Sequence, residues 1–138
     1  MIYTSYFANL KHLPPSVIPI SICGKAPDWY NGLQYKKLAP KYGFFMEWKR
    51  NHDNDFYIKC FNEQVLNQLD VFTVYDELYA LAGTSGLQQY DICLLCYEKP
   101  NDFCHRHLVS DWFNQNLIAC EEWNKNTVWL GYDKISIL

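Results

Sequence analysis

The chain has 138 residues, enough for one domain (1–138) with a real hydrophobic core and too few for two. A net charge of −3 excludes a protein that coats nucleic acid electrostatically, while leaving room for one that holds a nucleotide or a strand end in a local pocket. No apolar run approaches the roughly 20 residues of a membrane span, and the first residues lack a charged-then-apolar leader pattern. The expectation is a cytoplasmic protein with no membrane partner, whose cysteines at 23, 60, 93, 96, 104 and 120 are reduced thiols.

In chain order, Ile2 to Phe7 reads as a first strand, rich in β-branched and aromatic residues, followed by a turn or short helix to Pro15. Val17 to Cys23 reads as a second strand, with Pro19 awkward for a fully paired position. Tyr35 to Ala39 forms one or two helical turns. Glu47 to Asp55 is polar and reads as a loop. From Asp55 a helical pattern carries Phe56, Cys60, Val65, Leu66 and Leu69. Val71 to Ala82 fits a further helix that ends at Gly83. After the helix that carries Leu108, Val109, Trp112 and Phe113, and a polar stretch, Glu121 to Asn126, a closing strand is expected at Thr127–Trp129 or Ile135–Leu138. Strands alternating with helices predict a three-layer α/β domain, Rossmann-like, with a mainly parallel sheet of four or five strands.

Residues 91–112 organise the rest. Ile92 to Tyr97 is an unbroken apolar run, short enough for a strand and continuous enough for burial on both faces. Residues 98–102 break it, and Leu108, Val109, Trp112 and Phe113 then recur at helical spacing, with Asn101 or Asp102 as the cap. The loop leaving the carboxyl end of such a strand is where an open α/β sheet places its ligands. Here it carries Cys96, Glu98, Cys104, His105, Arg106 and His107.

Glu98 follows Cys96 by two residues and shares its side if the strand extends, where a carboxylate can serve as base or nucleophile. Cys104, His105 and Arg106 open the helix, a setting that attracts anions and lowers a thiol's pKa. An arginine is out of place there unless it pairs with Glu98 or clamps an anion with its planar fork. Arg106 is therefore expected as the anion ligand, within pairing reach of Glu98. His105 is a proton shuttle, ligand or phosphate contact, and Cys96 or Cys104 a supporting or nucleophilic thiol. His107 and Cys93 read as packing residues. Ser5, ending the first strand, and Lys25, following the second, complete the pocket if both strands flank the central one. Trp29, Tyr30, Tyr35, Phe44, Phe45 and Trp48 can stack on a base or form core. Cys96, Cys104, His105 and His107 are soft metal donors, but their spacing matches no standard zinc pattern, and no cofactor is assigned.

Leu-Leu-Cys-Tyr-Glu-Lys-Pro followed by Phe-Cys-His-Arg-His-Leu-Val resembles the signature of the domain of unknown function 488 family, a Cys-x-Glu closing a late strand and a Cys-His-Arg opening the next helix. The Thr4–Ser5 end of strand one and the segment 20–27 resemble its other landmarks, with Lys25 where many members carry an arginine. The resemblance implies a Rossmann-like α/β domain of bacteria, archaea and their phages, and implies no particular reaction. Three functional readings stand. One is an enzyme acting on an anionic, nucleotide-like or nucleic-acid-end substrate, with Glu98, His105, Cys96 and Cys104 catalytic and Arg106, Lys25 and Ser5 binding. Another is a module that sequesters a small anion or nucleotide or serves as an adaptor. The third is a metal-dependent protein with zinc.

Overall fold

A computed structural model describes residues 1–99, 101–123, 127–130 and 133–136 of the chain. Five strands, β1 (Ile2–Tyr6), β2 (Val17–Ser21), β3 (Leu33–Gln34), β4 (Asp91–Cys96) and β5 (Cys120–Glu122), form one sheet in the order β3-β2-β4-β1-β5. Every neighbouring pair in it is parallel. The central place of β4 follows from its composition: residues 92–96 are all 0 % exposed, which only a strand covered on both faces achieves.

The alternation of side chains along the strands divides the core in two. On one face Ile20, Ile92 and Leu94 pack against four helices, α1 (Tyr42–Asn51), α2 (Asn54–Gln64), α3 (Val71–Gly83) and α4 (His105–Gln115), which contribute Phe44, Phe61, Leu78 and Phe113. On the other face Tyr3, Val17, Cys93 and Leu95 pack against Phe7 and Tyr30, from the 3-10 turn Phe7–His12 and the segment after β2. Helices, sheet and this thinner cover make the three layers of a Rossmann-like α/β domain. Among the described residues no helix is long and apolar enough to cross a membrane.

Four local expectations are corrected. The polar stretch 47–55 is largely helix: Pro40 and Gly43 punctuate the start of α1 rather than its absence, and the turn is confined to His52, in the left-handed region, and Asp53, the cap of α2. The capping residue of α4 is Cys104, not Asn101 or Asp102, because a turn closed by Asp102 N–H on the Lys99 carbonyl (3.0 Å) spends those residues before the helix begins. The strand that closes the sheet is β5, inside the stretch read as polar. Thr127–Trp129 falls instead in β6 (Thr127–Leu130) and 135–136 in β7 (Asp133–Ser136), which pair antiparallel as a separate hairpin; residues 137–138 lie outside the described residues.

Pro19 sits in β2 opposite Cys93 and is tolerated for a geometric reason. Its carbonyl accepts from Tyr30 Oη (3.4 Å), so its nitrogen, which points the same way, faces the side where β3 pairs only Ile20 and Ser21. Tyr30 Oη also donates to the Leu33 carbonyl (2.7 Å). The ring lies so close to Gly32 that an added Cβ would run into it. Gly32→Ala is expected to cost about 1–3 kcal/mol through this overpacking. Urea denaturation measures it, and an unchanged midpoint would mean that the Tyr30 ring has room to swing aside.

Candidate functional site

β2 and β4 are neighbours running the same way, so the segments leaving them meet at one edge of the sheet. Cys23 and Lys25 follow β2, Cys96 closes β4, Glu98 lies just beyond it, and Cys104 and His105 return the chain into α4. Between these segments and α1 lies a cavity of about 810 Å³. Lys25, Lys49, Glu98, Cys104 and His105 supply its polar lining, and Tyr42, Phe45, Trp48, Tyr57, Tyr97 and Phe103 its aromatic walls. Trp48 and Phe103 face each other at 5.7 Å between ring centres, and the Lys49 ammonium sits 5.0 Å over the Phe45 ring.

The two cysteines of the motif are joined: a disulfide links Cys96 at the end of β4 to Cys104 at the start of α4. The expectation of reduced thiols therefore holds for Cys23, Cys60, Cys93 and Cys120 and is corrected for this pair, because strand end and helix start converge on one point. Glu98 Oε2 lies 3.7 Å from Cys96 Sγ. His105 Nε2 is 2.8 Å from the Ile22 carbonyl, which can only accept, so this nitrogen carries the proton. The lone pair is thereby left on Nδ1, 3.9 Å from Cys104 Sγ. Burial above all, and then the neighbouring Arg106 and His107 charges, lower the His105 pKa to about 4, against the raising effect of the Ile22 bond. The imidazole is neutral at physiological pH.

Arg106 is 0 % exposed and held by the protein's own acceptors. Its Nε and Nη2 donate to the two carboxylate oxygens of Glu122 at 3.1 and 3.0 Å. Its Nη1 donates to the Glu98 main-chain carbonyl at 2.6 Å and reaches Cys96 Sγ at 3.3 Å. Thr4 Oγ1 adds a bond to Glu122 at 2.7 Å. Arg106 and Glu98 are thus neighbours, as expected, but the contact runs through the Glu98 backbone; the carboxylate partner is Glu122. Arg106 does not line the cavity. The Arg106→Ala variant is accordingly a stability variant before it is a binding variant.

The remaining expected residues divide. Lys25 lines the cavity, whereas Ser5 is buried in β1 with its hydroxyl accepting from Asn9 (3.0 Å) and is absent from the cavity wall. His107 lies one residue past Arg106, its Nε2 buried and without a hydrogen-bond partner among the described residues. Cys93 is enclosed in the core, and burial holds its thiol well above the ordinary range. Three participants escaped the sequence reading: Glu122, Lys49 and Cys23. Lys49 could have been found from its i, i+4 spacing to Phe45; Glu122 left no signal. Cys23 lines the cavity, yet burial first and the Glu98 charge second push its thiol up to about 12, which removes it as a nucleophile.

The fold defines the class, a Rossmann-like α/β domain, and this gathering of polar groups at the hand-over from β4 to α4 lies at the carboxyl ends of its parallel strands. The family model described as "Active DUF488-N3 subclade" matches residues 8–117, and the chain belongs to that family. The match takes in the whole motif from Cys96 to Arg106 and stops short of Glu122. No curated protein and no solved structure matches the chain.

Two predictions follow from this geometry. Glu122→Ala leaves a buried guanidinium without its countercharge and is expected to cost about 3–5 kcal/mol of unfolding free energy, read by chemical denaturation. A loss well under 1 kcal/mol would show that Arg106 is not held as described. Alkylation at pH 8 followed by mass spectrometry is expected to label half-exposed Cys60 and spare Cys23, Cys93 and Cys120. Labelling of Cys23 at the rate of Cys60 would refute the burial of its thiol.

Proposed function

We propose that the chain is an enzyme acting on a nucleotide-like substrate or nucleic-acid end bound in the cavity between α1 and the 96–105 segment. The observation that carries this reading is the make-up of the cavity lining. Flat aromatic faces, above all Trp48 and Phe103, suit a base, since each base–aromatic stack contributes roughly 1–3 kcal/mol. Lys25 and Lys49 supply the positive charge a phosphate requires, in a chain whose overall charge of −3 offers none. Among the described residues Glu98 is the one carboxylate lining the cavity, placed to accept a proton from a bound hydroxyl or water. The Cys96–Cys104 pair and the neutral His105 lie beside it, so chemical groups and binding groups share one cavity.

The test is a thermal-shift screen against nucleotides and short oligonucleotides, followed by product analysis with any ligand that stabilises the protein. Trp48→Ala is expected to weaken binding of that ligand by about 1–3 kcal/mol, or roughly 5- to 150-fold. Glu98→Gln is expected to retain binding and lose turnover. Binding without product on prolonged incubation would assign the cavity to a sequestering module. Absence of a shift with every anion would remove the nucleotide reading.

A further inference from the structure

We infer that Cys96, Cys104 and His105, once the two thiols are reduced, form a site for one zinc ion with its fourth coordination position open to the cavity. The three donor atoms, two sulfurs and one imidazole nitrogen, all lie within 4.8 Å of one another, and all three residues are buried. A zinc tetrahedron with bonds of about 2.0–2.3 Å has edges of roughly 3.3–3.8 Å, so the cluster reaches that geometry by side-chain adjustment alone. The Cα atoms of Cys96 and Cys104 are 7.4 Å apart. That exceeds the roughly 4.4–6.8 Å usual between disulfide-bonded cysteines, so once the bond is reduced the two sulfurs can part far enough to share one ion.

The surroundings of the cluster are those of a metal site. A metal-bound histidine needs its other nitrogen held by an outer acceptor, and the Ile22 carbonyl at 2.8 Å from His105 Nε2 does this, aiming Nδ1 toward Cys104 Sγ. Arg106 Nη1, at 3.3 Å from Cys96 Sγ, offers the sulfur a charged hydrogen bond that favours the thiolate, while Glu122 balances the guanidinium charge. Two thiolates and one imidazole are borderline-soft donors that select zinc over magnesium or calcium. Cys104, His105 and Glu98 line the cavity, so the vacant fourth position faces it, where water, Glu98 or a substrate oxygen can enter. Three protein ligands with one open position are the pattern of a zinc ion that acts as a Lewis acid.

The chemistry of loading balances. A dithiol or two monothiols reduce the Cys96–Cys104 bond, taking its place as a disulfide and leaving two protonated cysteines. Zinc then binds both sulfurs as thiolates and releases two protons to solvent. The oxidised protein offers no thiolate and binds no zinc here. The inference does not rest on the nucleotide reading, which concerns what fills the remainder of the cavity.

The experiment uses the full chain, reduced and freed of chelator, titrated with zinc against a chromophoric chelator. One zinc per chain is expected for the reduced protein and none for the oxidised protein. Alkylation with mass spectrometry should then show Cys96 and Cys104 protected by zinc and Cys60 still labelled. Cobalt offered in place of zinc should give thiolate-to-metal charge-transfer absorption. Cys96→Ser, Cys104→Ser and His105→Ala should each weaken zinc by more than the roughly 10- to 100-fold typical of losing an outer-shell partner, whereas Cys60→Ser should retain it. Should a variant fail to fold, the alkylation and cobalt readings on the parent chain still decide. Reduced parent protein that takes up no zinc, or takes it up with Cys96 and Cys104 unprotected, overturns the site. Zinc uptake without a nucleotide shift leaves this inference standing and removes the other.

Discussion

The rest of the site depends on one buried charge. A guanidinium with no solvent exposure must find acceptors inside the protein, because leaving it unpaired costs several kcal/mol. Arg106 finds them on three different segments: the Glu122 carboxylate on β5, the Glu98 carbonyl beyond β4, and the Cys96 sulfur at the end of β4. These bonds fix α4 against the sheet edge and bring Cys104 to Cys96. They also resolve an electrostatic oddity, since a cation in the first turn of a helix opposes the helix dipole. The side-on fork onto Glu122 offsets that local cost, and the carboxylate is further held by Thr4 on the neighbouring β1.

Much of this was legible in the sequence wherever one strong local pattern decided the outcome. The apolar run 92–97 could be satisfied only by a doubly covered strand, and β1 and β2 do flank it in parallel, which is why Lys25 and Cys96 meet at one edge. The helix ending at Gly83 and the 3-10 turn Lys36–Leu38 were equally plain. What sequence could not carry was pairing set by tertiary structure. β5 is three residues long, two of them glutamates, and has no periodicity of its own; the register Thr4↔Glu122 makes it a strand. Arg106 was identified as a cation in need of a partner, but the choice of Glu122 over Glu98 rests on that same register.

The mid-chain aromatics show a second limit. Trp29, Tyr30, Tyr35, Phe44, Phe45 and Trp48 read alike as stacking or packing residues. The fold separates them by helical phase and by loop path. Phe44 turns inward from α1 to Tyr57 and Phe61, while Phe45 and Trp48, three apart on the same helix, share the cavity face. Tyr30 and Tyr35 are buried by their hydrogen bonds to Leu33 and Glu77, and Trp29 is left 59 % exposed beside Phe7. Composition supplied the flat faces, and helix geometry chose which of them face the cavity.

The start of α4 forgoes a stabilising contact that two other helices make. α2 and α3 each begin with an aspartate, Asp53 and Asp70, whose side chain accepts a backbone N–H of the first turn at 3.1 and 2.9 Å. α4 begins with Cys104, which makes no such bond. A serine, aspartate or asparagine there would gain about 1 kcal/mol of helix stability, and the same chain uses that device twice elsewhere. The device is used at α2 and α3 and at neither α1, where Lys41 holds the capping position, nor α4. At Cys104 the helix start instead presents a sulfur, held against Cys96, beside the Nδ1 of a neutral histidine and at the wall of an aromatic cavity.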